Sequence, residues 1–587
     1  MSETVYPRAE KTISIVSWQK AAQVAYSINY ENLRGQLFVE VETAWVKPPL
    51  QVGGLDHLAV QATCINIYGR LLPGITNVTD RARYYSFYPW LIWAFDKAGY
   101  QEFNDDFVER FRRADCLFCL ISQRHAAMSG GDADDHAAAM VGSDTLADVA
   151  RALGADGAIR LSDFSLREGA KKRYFANKLG GLGQYYLGVL RELSIIDGDA
   201  TAGIRYTRQL GSVIAEQMDS SVNRALFMEA VETDRVTAAK LDALHGFCPC
   251  QLCNNPGEQK ILGELFFVRD RFHDTEALPR QRSLKIVLQL VDLLYANGEQ
   301  LSEPLFRACI YSGSLPGGTP WAVPSALANT REKWAIYARN ELLSIAVQGL
   351  FYALLDAYEA SGLRMDASTD IANWFTEQPE VLEALDEFGQ QRTFSECVAG
   401  SRSWLPALAD WSEKMHEVQL TERIAALSRG IKSAENRKQI VSAALRTLIA
   451  LARRTNSADR QYADLVFEPD YFRYYPINLE SFARHVSGSW ASLTIREVLR
   501  WLSIDWGLEI HMRVALRKLR GQSQSTFRIR PSDRGMEVIA IPPAVHTRPR
   551  FNQALRVLKD IGALEKTPLG WQLSPFGRAQ LELADAE

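Results

Sequence analysis

Apolar residues recur every three or four positions through most of the chain, which is the spacing of amphipathic helices. The clearest examples are residues 55–72, 104–121 and 333–360. Strand-like alternation is confined to short pieces, TISIVSW near the start and TFRIRP with MEVIAI near the end. The pattern therefore predicts a mainly α-helical protein with a few short strands.

Length and composition fit a globular protein of several domains. The chain has 587 residues, 47% of them hydrophobic and 23% charged, and a single core seldom grows to that size. The most apolar run, residues 341–357, contains Ser344 and Gln348, so it predicts a buried helix and not a membrane span. The first residues show no secretory leader pattern. The eight unevenly clustered cysteines do not suggest a disulfide framework, so we expect a reduced, cytoplasmic setting.

The densest aromatic segment is residues 71–95. Asn77 or Thr79 is expected to cap a helix there, and Pro89 to kink or restart it. The aromatic residues cover nearly all faces, which indicates burial between neighbouring helices. Base stacking beside Arg81 and Arg83 is the alternative, and these two arginines remain candidate anion contacts.

Two segments of about thirty residues follow the same order of elements, residues 186–214 and 554–583. Each predicts a helix, a short strand, a turn containing glycine, a second strand and a further helix. A hydroxyl residue, Thr207 or Ser574, is placed to cap that last helix.

Helix, two-stranded hairpin, helix resembles the second half of a winged helix-turn-helix domain, as found in many bacterial DNA-binding regulators. The resemblance implies winged-helix modules within a mainly α, multidomain protein. The alternative is a hairpin-bearing helical subdomain that mediates only protein contacts. We expect an N-terminal helical domain (1–175), a winged-helix-like module (176–225), a helical scaffold (226–470) and a basic C-terminal winged-helix domain (471–587).

Positive charge is concentrated near the carboxyl end. Residues 513–559 contain eleven basic and two acidic residues, a formal charge of +9 in a chain whose net charge is -4. Such a separation is typical of a face that meets phosphate. The alternatives are a solvated basic face or pairing with the acid-rich stretch 365–396. The predicted nucleic-acid-binding residues are Arg513, Arg517, Lys518, Arg520, Arg528, Arg530, Arg548, Arg550, Arg556 and Lys559.

The segment LEIHMRVALRKLRG illustrates the expected geometry. Leu508, Met512, Leu516 and Leu519 would form a buried stripe on a helix. Arg513, Arg517 and Arg520 would then lie on a different, outward face.

The segment HGFCPCQLC brings His245, Cys248, Cys250 and Cys253 within nine residues. Zinc takes four nitrogen or sulfur ligands in a tetrahedron, so these four residues are a candidate zinc site. Structural zinc sites usually combine two ligand pairs from separated segments, which favours the alternative of small buried thiols.

Other candidate ligands are weaker. Cys116 and Cys119, with His125 nearby, have helical spacing among apolar residues and are expected to be buried thiols. Asp132, Asp134, Asp135 and His136 lie in residues 129–144, a small and acidic stretch that we interpret as a flexible loop.

Catalytic motifs are scarce. The sequence has no G-x-x-x-x-G-K-[ST] phosphate loop, no G-x-S-x-G elbow and no H-E-x-x-H pair. Asp470 and Glu480 weakly suggest a metal-dependent nuclease, although the lysine that such a site needs does not follow. We therefore expect the chain not to be an enzyme.

The whole chain resembles, in general organisation only, uncharacterised accessory proteins of bacterial anti-phage defence systems. That resemblance implies a non-catalytic nucleic-acid-binding and scaffolding subunit, with double-stranded DNA or another nucleic acid and an ATPase, helicase or nuclease as partners. A winged-helix transcription regulator is one alternative and a metal-dependent nuclease is another. No membrane contact is expected, and no cofactor apart from the candidate zinc.

Overall fold

Helices dominate the computed structural model, which describes residues 56–100, 102–130, 133–199, 201, 203–267, 277–455, 475–519 and 526–582. The mainly α-helical class predicted from the apolar spacing is confirmed. The predicted strand TISIVSW, with Asp132, Asp470 and Arg520, lies outside the described residues.

The α-helices, in chain order, are α1 Gln61–Leu71, α2 Arg83–Lys97, α3 Asp105–Ser129, α4 Ala133–His136, α5 Ser143–Ala152, α6 Ser162–Ser165, α7 Leu187–Glu192, α8 Gly211–Asp219, α9 Arg224–Glu232, α10 Ala238–Ala243, α11 Pro256–Phe267, α12 Ala277–Ala296, α13 Glu303–Ser312, α14 Ser325–Ser361, α15 Ser368–Thr376, α16 Pro379–Asp386, α17 Phe394–Gly400, α18 Glu417–Leu427, α19 Ala434–Thr455, α20 Leu479–Ser487, α21 Ile495–Trp501, α22 Ile510–Leu519, α23 Phe551–Asp560 and α24 Pro575–Glu582. Shorter 3-10 turns occupy His245–Phe247, Pro249–Asn254, Pro316–Gly318 and Ser401–Ser403, and π turns occupy Leu182–Tyr186 and Leu502–Glu509.

The described strands form four separate antiparallel pairs. They are β1 Ala158–Arg160 with β4 Arg235–Thr237, β2 Ile196–Asp199 with β3 Gly203–Tyr206, β5 Ile529–Ser532 with β6 Gly535–Val538, and β7 Leu564–Thr567 with β8 Gly570–Leu573. The strands predicted in TFRIRP and MEVIAI are therefore confirmed as β5 and β6.

The longest helix, α14, forms the centre of the core. Its 37 residues pack against α1, α13, α18 and α19, so apolar side chains are buried on every face. Among the described helices it is the one long and apolar enough to cross a membrane, but its most apolar stretch is entirely buried inside the protein. The prediction of a buried helix here is confirmed.

The aromatic helix α2 is buried as predicted, but its start was predicted wrongly. The helix begins at Arg83, after Ala82, and continues through Pro89. No side chain of its own segment caps it. The Ala82 N–H instead donates to Asp560 Oδ2 at 2.9 Å, so a carboxylate from the far end of the chain serves as the cap.

The acidic stretch 129–144 is not simply a loop. Its residues 133–136 form α4, and His136, Met140 and Val141 are buried. Arg81 holds this stretch by donating to the carbonyl oxygens of Asp135 and Ala138, at 2.9 and 3.0 Å. Hydrogen bonds from Arg81, more than fifty residues earlier in the chain, therefore hold a stretch whose sequence has no periodicity of its own.

Both predicted helix–hairpin–helix segments are present, here named the first module (residues 182–219) and the second module (residues 551–582). Each helix before the hairpin ends at a left-handed residue, Ser194 (φ 56°) or Gly562 (φ 76°). Ser574 caps the helix after its hairpin by accepting from the Gly577 N–H at 2.9 Å. Thr207 lies three residues before the N-cap Leu210, and its hydroxyl accepts from the Gly211 N–H at 3.0 Å. The two modules thus share local structure in detail.

The stripe predicted along α22 is confirmed at Leu508, which is buried in the turn before the helix, and wrong at Leu516. Leu516 is 57% exposed, whereas His511, Val514 and Ala515 are buried. The buried face of α22 therefore runs through these three residues, while Arg513 and Arg517 lie on the outward face, as predicted.

By their contacts, residues Val52–Glu587 group into one compact unit. Segments distant in sequence are interleaved within it, since α2 packs on α8 and α12 packs on β8 and α24. The division into four domains remains a prediction, because packing alone does not show which segments fold independently.

Candidate functional site

The helix that precedes the hairpin is the element that would face nucleic acid in a winged-helix module. In the second module this helix is α23, and both of its basic residues pair with acids from elsewhere in the chain. Arg556 lies 2.6 Å from Asp80, and Lys559 pairs with Asp135. Gln553 also donates to Asp80, at 3.1 Å.

At the end of α23, Asp560 is buried against Arg81, with Nε and Oδ2 3.0 Å apart and both side chains under 5% exposed. A second buried arginine, Arg83, pairs with Glu258 at 2.9 Å. Arg81 and Arg83 therefore form buried ion pairs within the protein. They are not the anion contacts considered from the sequence.

The other predicted nucleic-acid-binding residues divide into two groups. Arg513, Arg517, Arg530 and Arg548 are exposed, with Arg530 3.8 Å from Glu537. Lys518, Arg528 and Arg550 turn inward, and burial lowers the pKa of each.

The inward contacts are specific. Lys518 donates to the Asp56 carbonyl at 3.0 Å, and Arg550 donates to the Leu72 carbonyl at 2.6 Å. The expectation of one outward face formed by all these cations is wrong, because several serve the packing of the C-terminal segment onto the core.

The acid-rich stretch 365–396 does not neutralise α23. Its carboxylates Glu380, Glu383 and Glu387 pair with basic residues of α19. The acids that cover α23 come from residues 80 and 135, a pairing that charge counts along the sequence could not reveal.

The first module has a different environment. On its helix, Gln184, Gly188 and Arg191 are exposed, and Tyr185 is half-buried. Arg205 on β3 and Arg208 just after it are exposed as well. Among the described residues, no ion pair covers Arg191, Arg205 or Arg208.

A basic loop, residues 166–181, leads into this module. Together with the module helix it carries six basic residues and one acid, Glu168, between positions 167 and 191. The basic residues are Arg167, Lys171, Lys172, Arg173, Lys178 and Arg191, all exposed except the half-buried Lys178. The sequence analysis missed this cluster because the +9 segment near the carboxyl end was larger, although a window count would have found it.

Buried contacts fix the basic loop against the module. Arg112 of α3 donates to the carbonyl oxygens of Ser165 (2.5 Å) and Phe175 (2.8 Å). The Phe175 ring meets Tyr185 of the module helix edge to face, with centroids 5.4 Å apart. Loop and helix therefore pack against each other, and both carry exposed basic residues.

A histidine–cysteine cluster lies on the other side of α3. The ligand atoms of His125, His136, Cys248 and Cys250 all lie within 4.8 Å of one another. Cys248 Sγ is 3.5 Å from His136 Nδ1, and Cys250 Sγ is 3.5 Å from His125 Nδ1. Hydrogen bonding to Cys248, reinforced by the two imidazoles, lowers the pKa of Cys250.

This cluster differs from the ligand set predicted from the sequence. Cys248 and Cys250 belong to it, whereas His245 binds the Asp242 carbonyl and Cys253 points its sulfur at the Asp560 carbonyl, 3.3 Å away. The two histidines come from α3 and α4, more than a hundred residues earlier in the chain. Cys116 and Cys119 are buried thiols of α3, as predicted.

A buried ionic network occupies the segment before the second module. His546 lies between Glu341 and Glu422, 3.3 Å from each, and Arg307 lies 3.1 Å from Glu422. The cavity beside it holds only about 20 Å³, which is space for a single water molecule. The network is built for packing and charge compensation, and the cavity is too small for a substrate.

No protein-family model matches this chain, and neither a curated protein nor a solved structure matches it.

Proposed function

We propose that this protein is a non-catalytic nucleic-acid-binding and scaffolding subunit of a bacterial multi-protein system, and that the first module makes the phosphate contacts. One observation carries the proposal: exposed basic residues surround the open helix of a helix–hairpin–helix module. They lie in the basic loop, on the face of α7 around Arg191, and at Arg205 and Arg208 beside the hairpin.

The physical basis is counterion release. A duplex holds a layer of condensed cations, and each phosphate that a lysine or arginine neutralises frees part of that layer. Binding through Arg167, Lys172 and Arg191 would therefore weaken steeply with salt and depend little on sequence. Loop cations position a backbone in this way, whereas base reading needs side chains that enter a groove.

The C-terminal segment has a smaller role in this proposal. Arg556 and Lys559 would have to give up their own carboxylates before meeting phosphate. Arg513, Arg517 and Arg548 are exposed and could add secondary contacts. The helical body around α14 then serves to hold partner proteins, with an ATPase, helicase or nuclease as the expected class and anti-phage defence as the expected setting.

Binding of a fluorescently labelled DNA duplex, measured by anisotropy across a salt series, tests the proposal. The test variant combines Arg167→Ala, Lys172→Ala and Arg191→Ala. We expect the slope of log affinity against log salt to fall by about 3 units, because each phosphate that is no longer neutralised lowers it by about one unit. At low salt the affinity should fall by at least about tenfold.

The matched control combines Arg513→Ala, Arg517→Ala and Arg548→Ala, which removes the same number of exposed charges from the C-terminal segment. It should lower the slope by less than about 1 unit. A larger decrease in the control than in the test variant would assign phosphate binding to the C-terminal segment instead. Absence of salt-dependent binding by the unaltered protein to duplex DNA, single-stranded DNA and RNA would overturn nucleic-acid binding altogether.

A further inference from the structure

The histidine–cysteine cluster has the composition and spacing of a metal site. It joins two pairs, His125 with His136 and Cys248 with Cys250, from segments that are distant in the chain. Two nitrogen and two thiolate ligands are one of the standard sets for structural zinc. Carboxylates, which would favour calcium or magnesium, do not belong to the cluster.

The distances fit a tetrahedron around zinc. Zinc bonds sulfur at about 2.3 Å and nitrogen at about 2.0–2.1 Å, so a nitrogen and a sulfur on adjacent corners lie about 3.6 Å apart. The two nitrogen–sulfur pairs, His136 with Cys248 and His125 with Cys250, are each 3.5 Å apart. These two pairs already have the spacing of a zinc site, and the four ligand atoms as a set lie within 4.8 Å of one another.

Surrounding groups already orient the ligands. Ser129 Oγ lies 3.2 Å from His136 Nε2, which leaves Nδ1 turned toward the sulfurs. Gln251 Nε2 donates to Cys250 Sγ at 3.2 Å. Partners of this kind typically fix the ring orientation and tune the sulfur in zinc proteins.

The backbone on both sides of the cluster is anchored by the two buried arginines of the α2 start. Arg81 donates hydrogen bonds to the carbonyl groups of Asp135 and Ala138, on either side of His136. Arg83 donates to the Cys248 carbonyl at 3.0 Å. An open cleft beside His125 and His245 gives a path from solvent.

We propose that His125, His136, Cys248 and Cys250 bind one Zn²⁺ ion as a closed structural site. Each cysteine thiol gives its proton to solvent, and the two thiolates balance the charge of the ion. Because four protein groups fill the tetrahedron, no position is left for substrate, and the ion ties α3, α4 and the turn Pro249–Asn254 together.

Elemental analysis of the full-length protein, purified with reductant and reconstituted with zinc chloride before dialysis, is the first test. We expect about one zinc per chain, and less than about 0.2 in Cys250→Ser. Cys253→Ser and His245→Ala are the matched controls from the same segment, and both should keep about one equivalent. Less than about 0.2 equivalents in the unaltered protein, or loss of zinc in the controls but not in Cys250→Ser, would overturn the proposed ligand set.

X-ray absorption at the zinc edge on the unaltered protein does not depend on whether a variant folds. We expect a first shell of about two sulfur atoms near 2.3 Å and about two nitrogen atoms near 2.0 Å. A shell of oxygen and nitrogen alone, or one with three or more sulfurs, would contradict the proposal. Neither measurement involves nucleic acid, so the result stands apart from the proposed binding function.

Discussion

The two modules share one backbone pattern but have opposite surroundings. The first leaves the basic residue of its helix without an ion pair among the described residues, whereas the second has both basic residues of its helix paired with acids at residues 80 and 135. Glu192 and Asp560 show the contrast best, since each lies two residues before the left-handed residue of its module. Glu192 is exposed and accepts one bond from the Gly74 N–H, while Asp560 is buried against Arg81. Local sequence thus specifies the module, and distant packing specifies what the module is free to contact.

The largest effect that would test this contrast is expected from Asp560→Ala. It leaves the Arg81 guanidinium buried without its carboxylate and removes the cap of α2, which should cost about 3–5 kcal/mol of unfolding free energy. Urea unfolding measures the loss. Glu192→Ala at the matching position should cost less than about 1 kcal/mol, since it removes one hydrogen bond at the surface. Equal costs at the two positions would contradict the description of the second module as the docked one.

Where the modules are alike, matched substitutions should have matched costs. A Cβ on Gly211 would lie 2.3 Å from the Ile195 carbonyl oxygen, and one on Gly577 would lie 2.0 Å from that of Ala563. Each alanine variant should therefore lose about 1–3 kcal/mol by urea unfolding, because backbone must move. Gly188→Ala is the control, since its Cβ would meet nothing within 4 Å and should be neutral or slightly stabilising. A cost at only one of the two glycines would show that the modules differ at this close approach.

The segment before the second module should respond to acid. Burial favours protonation of Glu422, but the neighbouring His546 and the charge of Arg307 outweigh it and hold its pKa at about 2. Burial likewise disfavours charge on His546, yet Glu341 and Glu422 outweigh it and raise its pKa.

The direction in which each group changes stability with pH follows from the linkage between protonation and folding. A lowered carboxyl pKa contributes stability above its ordinary pKa of 4.5 that is lost as the pH falls toward 2. A raised histidine pKa contributes stability below 6.5 that is lost as the pH rises through the raised value. Stability from this network is greatest between these limits. Glu422→Gln should reduce the loss of unfolding free energy between pH 6 and pH 2 by about 1 kcal/mol. The effect is modest because solvent screens the partly exposed carboxylate.

Urea midpoints measured from pH 2 to pH 6 would show this smaller loss of stability. Exchange of backbone amides should localise the acid effect to the residues around His546 and not to the first module. If Glu422→Gln lost as much stability at low pH as the unaltered protein, other carboxylates would be responsible for that loss.

The smallest effect is expected from the partly exposed pair Arg556 and Asp80. Arg556→Ala should lower the unfolding free energy by less than about 1 kcal/mol and leave nucleic-acid affinity unchanged, because this guanidinium is already neutralised within the chain. Arg191→Ala should leave stability unchanged and lower the salt slope by about one unit. The reverse outcome would exchange the roles of the two modules.

Much of the fold could be predicted from the sequence because it is local. Apolar spacing identified the core helix α14, and turn residues with capping hydroxyls identified both hairpins. The exposure of Leu516 on α22 could not be predicted, since apolar spacing alone does not show which part of a helix a neighbour covers.

The candidate sites depend on pairs that lie far apart in the chain. Arg81 and Asp560 are 479 residues apart, and the nitrogen–sulfur pairs of the histidine–cysteine cluster are 112 and 125 residues apart. Composition could suggest Cys248 and Cys250 as ligands but could not select their histidines. It also could not show which of two basic segments the chain's own acids would cover.

The long-range cap on α2 has a consequence for synthesis. While the ribosome is still making the middle of the chain, the Ala82 N–H and the Arg81 guanidinium have no carboxylate to meet, because Asp560 has not yet been added. The aromatic helix can form early, as N-terminal segments do, but its start can settle only when translation is almost finished. Asp560 therefore completes the N-terminal cap of a helix that was synthesised hundreds of codons earlier.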